Sequence, residues 1–177
     1  GLYTAGALGS HAISAIANGL TVTATVVVVE QELPNMLVNG DLSSGWNSWN
    51  MGVYSGASAT RSVSGSQGTI NISNGGTASW NIQLTQIGVN LVAGETYRFS
   101  FNAKASSNRT IGATLEKASS PWSFYGGAGS VALTTTAQPF VYEFTMSGSD
   151  NNARVTFNLG TSSSNVTLSD IKVVKLP

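Results

Sequence analysis

The chain has 177 residues, of which 9% are charged and 41% hydrophobic, with eight Lys+Arg against eight Asp+Glu, no cysteine and one histidine. A neutral chain of this kind has no electrostatic footprint for nucleic acid or for an anionic membrane. Lacking Cys, it has no disulfides, thiolate nucleophiles or Cys zinc sites, and the lone His11 removes His-cluster metal sites and argues against a His-based triad. The length suits one main β domain. The apolar content argues against disorder, and the longest apolar stretch, Ala24 to Val29, is too short to span a bilayer. Low charge made up by Ser, Thr, Asn and Gly is usual in secreted bacterial β modules, so a secreted or cell-surface location is expected. The start at Gly1 reads as part of something longer.

In chain order, Gly9 to Ala17 alternates small or polar with apolar residues, Asn18-Gly19 supplies a dipeptide suited to φ > 0, and Leu20 to Val29 alternates again. That pattern predicts a β-hairpin. Gly-Leu-Tyr-Thr-Ala-Gly at residues 1 to 6, the Gly-x-His-x-Ile-x-Ala run and the Thr/Val-rich strand after it resemble the closing strands of a bacterial Ig-like repeat. Residues 1–30 therefore read as the end of such a repeat or as an N-terminal hairpin, and 31–34, ending in Leu33-Pro34, as a linker.

Residues 35–177 show strand signals separated by Gly, Asn and Ser clusters, with no sustained helical period. Strands are expected at Met36–Val38, Thr69–Ser73, Ser79–Gln86, Thr96–Ala105, Thr110–Lys117, Phe140–Met146, Ala153–Leu159 and Val166–Leu176. The fold class that follows is all-β, an antiparallel β-sandwich of jelly-roll topology with an N-terminal hairpin extension. Period two places Trp80, Ile82, Leu84, Tyr97, Phe99, Phe101, Ile111, Leu115, Val155 and Phe157 inside. It places Gln83, Thr85, Arg98, Asn102, Thr114, Glu116, Arg154, Thr156 and Asn158 outside.

These outer faces are rich in amide, guanidinium and hydroxyl groups and poor in net charge, which suits a neutral polyol. Sugar recognition adds flat apolar rings that stack on the C–H faces of pyranoses. Trp46 and Trp49 lie in Gly45-Trp46-Asn47-Ser48-Trp49-Asn50, and Trp122 and Tyr125 in Ser119-Ser120-Pro121-Trp122-Ser123-Phe124-Tyr125, polar segments that would not by themselves bury such rings. The competing reading is that the rings cap the ends of the sandwich, as expected for at least one of Trp46 and Trp49. Candidate ligand residues are Trp46, Trp49, Gln83, Arg98, Asn102, Glu116, Trp122 and Tyr125.

Four blocks carry a wider resemblance: Asn35-Met36-Leu37-Val38-Asn39-Gly40-Asp41-Leu42-Ser43-Ser44-Gly45-Trp46, Trp80 to Gln86 followed by Leu91 to Lys104, Ala153 to Gly160, and Val166 to Val173. In this order they resemble the carbohydrate-binding modules of families 4, 9, 16 and 22. The resemblance implies a non-catalytic β-sandwich that binds a β-linked polysaccharide in a groove on one sheet: a β-glucan, with β-1,3-glucan, cellulose and mannan as candidates. It further implies a covalently attached glycoside hydrolase, a monomeric module and site roles for Gln83, Arg98 and Trp122. One N-proximal Trp is also typical, and Trp46 and Trp49 both qualify.

The resemblance also implies a structural calcium, common in such modules: Asp41 and Asp170 match the positions that supply its carboxylates, with carbonyls near Gly65 as further donors. Calcium takes roughly six to eight oxygens; the alternative is that both aspartates cap turns. An enzyme is disfavoured, because hydrolysis needs paired carboxylates and Glu116 and Glu143, alone on outward strand positions, have no evident pairing. A structural spacer or adhesin module is the rival reading.

Overall fold

A computed structural model of the chain describes residues 6–28 and 32–177. The chain divides into two compact units, Gly1–Leu33 and Pro34–Pro177. In the first, strands β1 (Gly9–Ala17) and β2 (Leu20–Val28) pair antiparallel from Gly9 opposite Val28 to Ala17 opposite Leu20. Asn18 and Gly19 turn the chain at φ 49° and 78°, the conformation that a two-residue hairpin of matching twist requires. Most of the Gly-Leu-Tyr-Thr-Ala-Gly resemblance, and Glu30 and Gln31 at the expected linker, lie outside the described residues.

The second unit holds β3 (Asn50–Val53), β4 (Ser58–Ser64), β5 (Gln67–Asn74), β6 (Ile82–Leu91), β7 (Thr96–Ala105), β8 (Arg109–Glu116), β9 (Phe124–Leu133), β10 (Gln138–Thr145), β11 (Asp150–Asn158) and β12 (Val166–Lys175). They form two five-stranded sheets of order β10-β7-β12-β5-β4 and β3-β6-β11-β8-β9, with antiparallel pairing throughout. The molecule is thus the all-β sandwich expected from its alternating pattern. On β7, Tyr97, Phe99, Phe101 and Ala103 point inward and are buried, and the Phe101 ring meets Phe157 of the opposite sheet edge-on at 5.0 Å. Such interlocking of large apolar side chains is what binds two sheets face to face.

Three of these strands, β3, β4 and β9, were not expected, and Met36–Val38 is not a strand. That segment is held by side-chain amides. Asn35 donates to Ile171 O at 2.9 Å and accepts from Val173 N at 3.0 Å. Gln86 accepts from Val38 N at 2.7 Å and donates to Val38 O at 2.8 Å. Each amide thus presents a donor and an acceptor to the backbone, as a neighbouring strand would.

Beyond β11, the chain is clamped by Arg109, whose buried guanidinium donates to the carbonyls of Ser164 and Leu159 at 2.6 Å each and of Gly160 at 3.0 Å. Burial away from water lowers its pKa below the ordinary arginine value.

Candidate functional site

The outer face of the β3-β6-β11-β8-β9 sheet is organised by register into rows that cross the strands. One row runs Gly52, Gln83, Asn158, Gly112; the next Asn50, Thr85, Thr156, Thr114; the third Ile87, Arg154, Glu116, Phe124. A cleft of about 600 Å³ opens over this face, lined by Tyr54, Ser79, Trp80, Gln83, Glu116, Trp122, Arg154 and Asn158.

Trp80 and Trp122 reach this cleft from different connections. Trp80 sits in a short 3-10 turn, Ser79–Asn81, just before β6, and is 51% exposed. Asn81 Oδ1 steadies that turn by accepting from Thr77 N and Ala78 N. Tyr54 joins from the connection after β3, where its ring lies over Gly52, leaving no room for a Cβ there. Trp122 belongs to the connection between β8 and β9, which contains a cis Ser120–Pro121 bond and is closed by Lys117 N donating to Ser123 O at 2.9 Å. It is 49% exposed, and its ring is covered on one side by the Arg154 guanidinium, 4.4 Å from the ring centroid.

The floor is polar and internally bonded. Gln83 Nε2 donates to Asn158 Oδ1 at 2.8 Å. Glu116 Oε1 accepts from Arg154 Nε at 2.9 Å, Arg154 Nη2 at 2.6 Å and Thr156 Oγ1 at 2.9 Å, while Oε2 accepts from Thr114 Oγ1 at 3.0 Å. Arg154 and Glu116 neutralise each other, so their charges leave no net sign on the floor. Exposed indoles over a neutral floor of amides and a guanidinium are the chemistry that a stack of uncharged sugar rings requires.

Residues 34–165 match the model of a family described as Carbohydrate binding domain. The chain belongs to that family. The module is similar to a solved family 4 carbohydrate-binding module, at 27% identity and TM-score 0.71 over 78% of this chain and 99% of the other. It is also similar in fold to the second N-terminal cellulose-binding domain of Cellulomonas fimi β-1,4-glucanase C, at 18% identity and TM-score 0.66, covering 83% of this chain and 97% of that one. A third likeness is to the xylan-binding CBM22-1 domain of Paenibacillus barcinonensis Xyn10C, at 10% identity and TM-score 0.57, covering 83% and 97%. No curated protein sequence matches the chain. The family is one of polysaccharide-binding modules.

Of the residues singled out in the sequence, the module brings Gln83, Glu116 and Trp122 into one cleft. Trp80, expected in the core, is instead a wall of that cleft, because the strand alternation that would have buried it starts only at Ile82, after the 3-10 turn. Trp49 is corrected in the opposite sense: it is 3% exposed, packs 6.4 Å from Phe157 and donates its indole N–H to Asn39 O at 3.1 Å. Trp46 is half-buried under Arg61, lies against Gly68 of the other sheet and does not line the cleft. Arg98 and Asn102 lie on β7, hence in the other sheet, and Arg98 pairs with Glu143 at 2.8 Å.

Tyr125 does not line the cleft. It borders a separate depression with Lys117 and Asp150, and its hydroxyl donates to Asp150 Oδ2 at 2.8 Å. Desolvation first, and then Asp150, raise its pKa. Thr85, Thr114, Thr156 and Glu116, expected on an exposed face, do point outward but are buried as its floor. Sequence reasoning missed Tyr54 as a site residue, since β3 itself was not expected. Arg154 and Asn158 carried a usable signal, being outward positions on the same strand as Phe157.

Asp41 and Asp170 border one shallow cleft of about 250 Å³ together with Gly65, Ser66, Gln67 and Ser169. Asp41 Oδ1 accepts from Ser43 N and Oγ, and Asp170 Oδ1 pairs with Lys172 Nζ at 3.1 Å. Among the described residues no group of three or more His, Cys, Asp or Glu side chains gathers around a common point. An oxygen-rich lining with two carboxylates fits a hard cation such as calcium, and carbonyl and hydroxyl oxygens would have to complete its shell.

Proposed function

We propose that the module binds a neutral β-linked polysaccharide, a β-glucan foremost, in the Trp80–Trp122 cleft, and that it carries an attached glycoside hydrolase to that polymer in a secreted protein. The observation that carries this reading is the pair of half-exposed indoles in one cleft whose charged floor residues cancel. The rings supply stacking area, while Gln83, Asn158 and Arg154 supply hydrogen bonds to ring hydroxyls. The cellulose-binding and xylan-binding titles of the similar structures support the class of ligand and leave the linkage open. Binding without hydrolysis fits the state of Glu116, whose carboxylate is occupied by protein donors. Calcium, held by Asp41 and Asp170 with neighbouring oxygens, would serve the fold rather than the sugar, since neither aspartate lines the Trp80–Trp122 cleft.

Titration calorimetry against β-1,3-glucan, mixed-linkage glucan, cellooligosaccharides and glucomannan tests the reading. Saturable heats with at least one of these, weakened in Trp122→Ala, are expected. No heat with any of the four would overturn it in favour of a spacer or adhesin role.

A further inference from the structure

We infer that Glu116 is a positioning residue, which acts on the ligand only through Arg154 and, through Arg154, fixes the orientation of the Trp122 ring. This rests on the cleft being the glycan site. Glu116 meets four protein donors: Oε1 takes Arg154 Nε and Nη2 and Thr156 Oγ1, and Oε2 takes Thr114 Oγ1. At 8% exposure little of the carboxylate is open to a sugar hydroxyl.

By taking both Arg154 Nε and Nη2 on the one oxygen Oε1, it restrains the guanidinium, which lies over the Trp122 ring at 4.4 Å. The connection from residue 117 to 123 is closed by Lys117 N to Ser123 O and Trp122 N to Ser119 O, and the Trp122 indole N–H makes no hydrogen bond among the described residues. Thr114 and Thr156 fix the carboxylate in turn, so the chain of contacts runs from the sheet to the platform. Ordering the ring before the sugar arrives removes that entropic cost from binding.

The test uses the four indole N–H signals in a proton–nitrogen correlation spectrum of the ligand-free chain, with Trp122 assigned by its loss in Trp122→Phe. In Glu116→Gln the Trp122 signal should shift and broaden while those of Trp46 and Trp49 stay in place. Affinity for the tightest-bound glucan of the calorimetric panel should fall roughly tenfold, the scale expected from releasing one ordered side chain. Glu116→Gln added to Trp122→Ala should cost less affinity than Glu116→Gln alone. Arg154→Lys, which keeps the charge and loses the planar fork, should move the Trp122 signal in the same way, and it decides the matter if Glu116→Gln does not fold. A Trp122 signal unmoved in both variants overturns the inference, whatever happens to affinity. Because that arm needs no sugar, it stands apart from the question of whether any glucan binds.

Discussion

Gln83 and Asn158, opposite each other on β6 and β11, are joined by a side-chain bond of 2.8 Å that consumes one donor and one acceptor. Gln83 Oε1 and Asn158 Nδ2 have no partner among the described residues and are left as a fixed acceptor–donor pair, suited to two adjacent sugar hydroxyls. Gln83→Ala removes the acceptor and frees Asn158 to rotate, so calorimetry should show an affinity loss of about 1–2 kcal/mol. The double variant Gln83→Ala/Asn158→Ala should lose less than the sum of the single ones, because the two side chains act as a unit. Strict additivity would mean that they contact the ligand independently.

Trp80→Ala and Trp122→Ala should each cost about 2 kcal/mol of affinity, the scale of apolar area that one ring covers. The melting temperature should hardly change, since both rings are half-exposed. Calorimetry and thermal denaturation of the same preparations check the two halves of this expectation. A large fall in melting temperature would place the ring in the core instead.

Trp49→Ala should behave in reverse. Its ring fills the space beside Phe157 and ties Asn39 through its indole N–H, so truncation should destabilise the fold by about 3–5 kcal/mol while the folded fraction binds normally. Arg98→Ala should leave affinity untouched and cost less than about 1 kcal/mol of stability, because its pair with Glu143 is exposed. Weakened glucan binding in Arg98→Ala would move the groove to the other sheet.

Calcium should raise stability by RT ln(1 + [L]/Kd), about 2.7 kcal/mol at roughly a hundredfold excess over Kd. Differential scanning with and without chelator should show a lower melting temperature in chelator for the parent chain, and no response in Asp41→Asn/Asp170→Asn. Glucan affinity of the still-folded, chelated protein should be unchanged. A parent melting curve indifferent to chelator would leave the two aspartates as turn residues.

The sandwich was legible because its central strands bury one side at every second residue, as Tyr97, Phe99 and Phe101 do. The strands that escaped notice, β3, β4 and β9, all lie at sheet edges; the fourth edge strand, β10, was legible because Phe140, Tyr142 and Phe144 keep its alternation clear. An edge strand has a neighbour on one flank only, so its pattern is diluted by exposed Ser, Gly and Thr, as in Ser58–Ser64. Trp122 stood out as a ring in a polar loop. Trp49 sits in an equally polar loop but is buried, because that loop folds back onto Asn39, a contact ten residues away that local composition does not report. Trp80 was misplaced by one turn of 3-10 geometry, which shifts a side chain from the inner to the outer face.

The bonds of Asn35 to Ile171 and Val173 join positions 136 and 138 residues apart. Closing so long a loop is entropically costly, and folds dominated by such distant pairings form slowly. β12 lies between β7 and β5 in its sheet, so that sheet has a gap at its centre until the last strand has been synthesised. During translation, β5 and β7 must therefore wait with apolar faces and unpaired edges exposed, and a chain stalled before Val166 would have a greater tendency to aggregate than one released complete.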